Sequence, residues 1–143
     1  MRKKILFLVH IEETFRKFFE RKEDYIENII NKSEEYDRVY HFNSCIDDLE
    51  TVEELRHIIT DEIDWGWGYE PECFESNPEE RKFLILSSGH EYTWIPPELR
   101  SFDWDNVEIS LGGGCDGECL ADMESILDEL GVDYNFLYEM VYS

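Results

Sequence analysis

The chain has 143 residues, 42% of them hydrophobic and 15% aromatic, with 13 Lys and Arg against 35 Asp and Glu and a formal net charge of -22. That length is enough to bury a real core and points to one domain over 1–143, and the apolar content is too high for a disordered acidic chain. Residues 1–32 hold eight of the thirteen bases, which leaves five bases against 29 acids beyond them, a balance of -24. A field of that sign excludes direct nucleic-acid binding and attachment to anionic membranes, and it leaves a small molecule or another protein as the expected partner.

The basic start Met1-Arg-Lys-Lys4 is followed by only five apolar residues, Ile5 to Val9, before His10, Glu12 and Glu13. That run is too short for a secretory signal, and no stretch of about 18 apolar residues exists to span a membrane. A cytoplasmic location is expected, with the cysteines at 45, 73, 115 and 119 reduced; homo-oligomerisation is left open.

Ile5-Leu-Phe-Leu-Val9 is a continuous apolar run, as in a strand buried on both faces of a parallel sheet. Phe15, Phe18, Phe19, Ile26, Ile29 and Ile30 recur at steps of three and four, which predicts one long helix over 13–32. Val39 to Phe42 reads as a second strand, and Val52, Leu55, Ile58 and Ile59 predict a helix over 49–63. The stretch 64–80, with Trp65, Trp67, Tyr69 and Phe74 among glycines, prolines and carboxylates, reads as an irregular loop. Its rings suit either a lid or partner contact or a satellite core over the sheet edge. Phe83 to Leu86 is expected as the third buried strand, Pro96-Pro97 as the opening of a short helix, and Val107 to Leu111 as the fourth strand. A helix over 116–130, stopped by Gly131, and an edge strand within 132–142 complete the chain. Alternating strands and helices predict an α/β fold: a three-layer, doubly wound sheet of about five mostly parallel strands with helices on both faces.

In such sheets, sites collect beyond the carboxyl ends of the strands. The residues expected there are His10 and Glu12 after the first strand, His41 after the second, Ser88 and His90 after the third, and Gly113, Gly114, Cys115 and Asp116 after the fourth, with Trp65 and Trp67 above. The glycine turn leads into a helix whose first turn carries Cys119. Unpaired amides and the helix dipole at such a place favour a thiolate and an oxyanion, whereas a Cys beside Leu120 and Met123 can equally be core filler. No CxxC or HxxxH spacing joins the histidines and cysteines, so no metal or cofactor is assigned.

The segment Gly113-Gly-Cys-Asp-Gly-Glu-Cys-Leu120 resembles the strand, glycine turn and helix start of the isochorismatase-like cysteine hydrolases, and Leu6-Phe-Leu-Val-His-Ile-Glu-Glu-Thr-Phe15 resembles their first strand. The resemblance implies a nucleophile at Cys119. His10 stands where that family places its catalytic Asp, and Ser87, Ser88 and His90 stand where it places a Lys, so its standard triad is incomplete. Two functions follow: a divergent scaffold that binds a small molecule or protein without the standard hydrolysis, or a hydrolase of C–N bonds in which Cys119 is served by His10, His90 or Glu12. A third rests on charge alone: an acidic protein that docks on a basic partner or imitates nucleic acid.

Overall fold

The computed structural model describes residues 2–43, 50–65, 79, 83–86 and 92–143. Its strands are β1 (Lys3–Val9), β2 (Arg38–Asn43), β3 (Asp61–Asp64), β4 (Leu84–Leu86), β5 (Tyr92–Trp94), β6 (Val107–Gly113) and β7 (Tyr134–Val141). Its helices are α1 (Arg16–Phe19), α2 (Tyr25–Ser33), α3 (Pro97–Arg100) and α4 (Cys119–Glu129). Five strands form one sheet in the order β3-β2-β1-β6-β7, and every pair in it is parallel.

β1 is central because nothing in Ile5 to Val9 asks for water. Its backbone pairs with β2 on one side, from Ile5 opposite Arg38 to Val9 opposite Phe42, and with β6 on the other, from Lys3 opposite Val107 to Val9 opposite Gly113. Successive side chains point to opposite faces. Ile5, Phe7 and Val9 join Phe42, Ile63, Ile109 and Leu111 beneath Leu120, Met123, Ile126 and Leu127 of α4. Leu6 and Leu8 join Val39 and Met140 beneath Phe19 of α1 and Tyr25 and Ile29 of α2. The two clusters and the sheet between them are the three layers. α4 ends at Gly131, whose φ of +70° suits a residue without a side chain and lets Val132 N–H return to the Leu127 carbonyl at 2.9 Å. Among the described residues, no helix is long and apolar enough to cross a membrane.

Three expectations are corrected. The helix over 13–32 is broken: a short helical turn at Glu13–Phe15 runs into α1, and α2 starts afresh after Asp24, whose φ is +57°. On one continuous helix, Phe19 and Tyr25 would point about 120° apart. The break brings both rings onto the sheet, stacked 5.2 Å apart.

The helix over 49–63 is also absent. Only Glu53–Leu55 makes a helical turn, and Asp61–Asp64 becomes β3. Ile58-Ile59-Thr60 is a β-branched run with weak helix preference. Thr60 N–H and its hydroxyl both donate to the Val39 carbonyl, at 2.9 and 3.0 Å, which sets the register of β3 beside β2. The Arg38 guanidinium then holds the Asp61 carboxylate across the pair at 2.7 Å.

The third expected strand, within 83–86, does not enter the main sheet, where β3 takes the place beside β2. Instead β4 pairs antiparallel with β5 as a separate two-stranded sheet. The short connection from Leu86 to Tyr92 permits a hairpin, whereas a parallel crossover needs a dozen or more residues. β7 is the edge strand expected, bulged between its contacts with Leu111 and Gly113, and the Lys22 ammonium donates to its Tyr138 carbonyl at 2.6 Å.

Phe7 is fully buried, with its ring centroid 4.8 Å from Phe42 and 5.6 Å from Tyr40. Replacing Phe7 with Ala is expected to lower stability by ~3–5 kcal/mol through lost burial and the cavity left behind, read as a drop in the urea midpoint with an unchanged slope.

Candidate functional site

The chain leaves β1 toward β2 and leaves β6 toward β7, in opposite directions, so a crevice opens between the carboxyl ends of β1 and β6, the place where doubly wound sheets hold ligands. His10 follows β1 at this point with a φ of +51°. Its N–H donates to the Phe42 carbonyl at 3.0 Å, its ring stacks on Trp65 with centroids 5.5 Å apart, and its Nδ1 lies 3.5 Å from Oε1 of Glu12. His10 is 4% exposed and Glu12 is fully buried. Trp65, also buried, leaves the end of β3 and donates its indole N–H to the Trp94 carbonyl at 3.0 Å.

On the β6 side, the glycines permit close packing. A side chain on Gly113, whose φ is +98°, would fall 2.2 Å from the Val9 carbonyl oxygen, and one on Gly114 would fall 2.4 Å from the Tyr142 ring. That ring is buried, and its hydroxyl donates to the His10 carbonyl at 2.6 Å. Tyr142 therefore bridges the two strand ends that frame the crevice. Four amides here meet backbone carbonyls: Gly114 N–H donates to the Val9 carbonyl, Asp116 N–H to the Tyr142 carbonyl, and Glu118 and Leu120 N–H to the Cys115 carbonyl.

Cys115 and Cys119 are free thiols, both partly buried. Burial raises the Cys115 pKa, and the neighbouring Glu118 and Asp116 add to the rise. Burial pushes the Cys119 thiol up to about 12; a hydrogen bond from the Cys115 backbone works the other way, and Asp122 and Glu118 oppose it. Tyr142 is raised too, chiefly by burial, with Tyr25, Glu12 and both thiols contributing. This electrostatic coupling puts Glu12, Tyr142, Cys115 and Cys119 in one neighbourhood.

His41 belongs to a different arrangement. Its Nε2 accepts the Ile11 N–H at 3.1 Å, so the hydrogen sits on Nδ1, which faces Oε2 of Glu62 at 2.9 Å. The Thr51 hydroxyl lies 3.2 Å from the same Nδ1 and donates to Glu62 Oε1 at 3.0 Å. With both ring nitrogens engaged, His41 ties the chain after β1 to β3. For Glu62, partial burial works upward on the carboxyl pKa, and the hydrogen bonds from His41, Asn43 and Thr51 outweigh it, leaving the pKa below its ordinary value.

The structure thus brings together His10, Glu12, Trp65, Gly113, Gly114, Cys115 and Cys119, with Asp116 exposed at the margin. Ser88, His90 and Trp67 lie outside the described residues, as do Ser87, Cys45, Cys73 and most of the aromatic loop. Sequence reasoning missed Tyr142, Thr51 and Glu62. The first sits at the end of an edge strand, and the other two fell in or beside the expected helix, where no local signal marks a tertiary hydrogen bond. Among the described residues, no group of three or more His, Cys, Asp or Glu is arranged to hold a metal ion. Comparison of the chain with protein-family models, curated proteins and solved structures finds no match.

Because the Glu62 pKa is lowered on folding, ionised Glu62 stabilises the fold above its ordinary value of 4.5, and this contribution fades as pH falls through the lower folded value. Glu62→Gln is expected to flatten the acid limb of the stability-against-pH curve while losing stability at pH 7. Urea melts from pH 7 down to pH 3 check this.

Proposed function

We propose that the chain is a divergent isochorismatase-like protein that works by binding a small molecule or protein partner at the carboxyl ends of β1 and β6, without the cysteine hydrolysis of that superfamily. The observation that carries this reading is the state of Cys119. A nucleophilic thiol needs a cation or base to hold its thiolate. Here burial, with Asp122 and Glu118 beside it, acts against the thiolate and pushes the thiol up to about 12, so it is held protonated at neutral pH.

Alkylation of each cysteine by iodoacetamide, followed across pH by peptide mass spectrometry, is expected to give Cys119 a midpoint well above the ~8.5 of a free thiol. Nicotinamide and simple amides should show no turnover that depends on Cys119. A midpoint below 8.5, or hydrolysis abolished by Cys119→Ala, would establish the hydrolase with a substituted base instead.

A second reading has its own observation. Residues 101–143, which contain β6, α4 and β7, hold eleven Asp and Glu and no Lys, Arg or His. This segment has no bases of its own, with Lys22 reaching only its outer strand, and it suits docking on a basic partner. Asp128, Glu129 and Asp133 are exposed on it, and Glu23, Glu27 and Glu34 are exposed on the α2 side. Reversing the first three to Lys is expected to weaken binding to polylysine more than reversing the second three, although net charge changes equally. Equal loss would reduce the effect to overall charge.

A further inference from the structure

We infer a second ligand site at the opposite end of the sheet, a pocket for a planar aromatic carboxylate at the amino ends of β1, β2 and β6. A cavity of about 430 Å³ opens there, lined by Lys3 and Ile5 of β1, Arg38 and Tyr40 of β2, Val107 of β6, and Phe102, Asp103 and Asn106 from the segment before β6. That volume lies in the range of small-molecule sites.

The walls have two kinds of chemistry. Tyr40 and Phe102 present partly buried rings that meet edge to face with centroids 5.8 Å apart, and Tyr40 is fixed from behind by stacking on Phe7 at 5.6 Å. With Ile5 and Val107 they make an apolar slot that a flat ring would fill in offset or edge contact. The cations stand beside the slot. Arg38 is held in place by Asp61, which takes its Nε and one terminal nitrogen and leaves Nη1 outside the pair. Lys3 has no partner among the described residues, so its ammonium can meet a ligand carboxylate without first breaking an ion pair. Asp103, the one acid in the lining, accepts the Asn106 side-chain amide, which turns the Asn106 carbonyl into a free acceptor for a donor on the ring.

One cation at this end is left to meet an anion. Lys4 is paired with Glu35 and Arg38 with Asp61, while Asp103 and Asp105 precede β6, so among the residues lining the cavity Lys3 is the base that meets no acid. A carboxylate on the ring gains the Lys3 ammonium, and a ring without charge gains only the slot.

The test is a titration of the full chain with 1-naphthoate, and with 1-naphthalenemethanol as the uncharged analogue, followed by NMR shifts of backbone amides. Naphthoate is expected to saturate in the millimolar range or below, with shifts centred on Tyr40, Phe102 and Val107, and to bind about tenfold tighter than the alcohol. Lys3 is exposed, so Lys3→Ala should leave the fold intact. It is expected to weaken naphthoate about tenfold and leave the alcohol unchanged, as for loss of one charged hydrogen bond. Val107→Trp should fill the slot and abolish both. The inference is overturned if naphthoate and the alcohol bind equally, if Lys3→Ala changes neither, if no binding occurs, or if the shifts centre on His10 and Tyr142 at the other end of the sheet.

Discussion

Everything in this molecule is arranged around the requirement that β1 be hydrogen-bonded on both edges and buried on both faces. Ile5 to Val9 offer apolar side chains in both directions, so the strand is satisfied only between two parallel neighbours and between two covering layers. β2 and β6 supply the edges. α4 covers one face, and α1 with α2 covers the other. Most of the polar groups with candidate chemistry then gather at the two ends of the sheet, although Ser110 is buried midway along β6.

At the carboxyl end, two influences on Cys119 compete, and their sizes decide the result. A helix start contributes up to ~2 kcal/mol toward a negative charge, equivalent to about 1.5 in pKa. Burial, together with the carboxylates at Asp122 and Glu118, acts in the opposite direction, and the thiol stands near 12. The same end is closed by contacts that do not depend on the thiols: the Tyr142 hydroxyl on the His10 carbonyl, the His10 ring on Trp65, and backbone packing that only Gly113 and Gly114 allow. A glycine turn before a cysteine-bearing helix can thus serve as a packing device, and the burial and charge around the sulfur set its chemistry.

The elements that were legible in the sequence are those whose pattern is enforced by burial alone. β1, β6, α4 and β7 fall where apolar runs and helical spacing put them, because each buries a face against a neighbour. The segment 49–63 misleads because Val52, Leu55, Ile58 and Ile59 satisfy helical spacing, while the deciding interaction, Thr60 on the Val39 carbonyl, joins residues 21 apart. The same holds at the site. The positions of Gly113 and Cys119 are local and were readable. The Tyr142 hydroxyl meets a carbonyl 132 residues away, and the pairing of His41 with Glu62 depends on a strand that helical spacing had hidden.

Among the described residues no strand lies beyond β7, and Tyr138 on it is 75% exposed. Such a border can template further strands and seed aggregates. Here the Lys22 ammonium occupies the Tyr138 carbonyl, the bulge before Val141 takes the ladder out of line, and Asp133 and Glu139 add charge of one sign. Together these make stacking of a second copy along β7 costly.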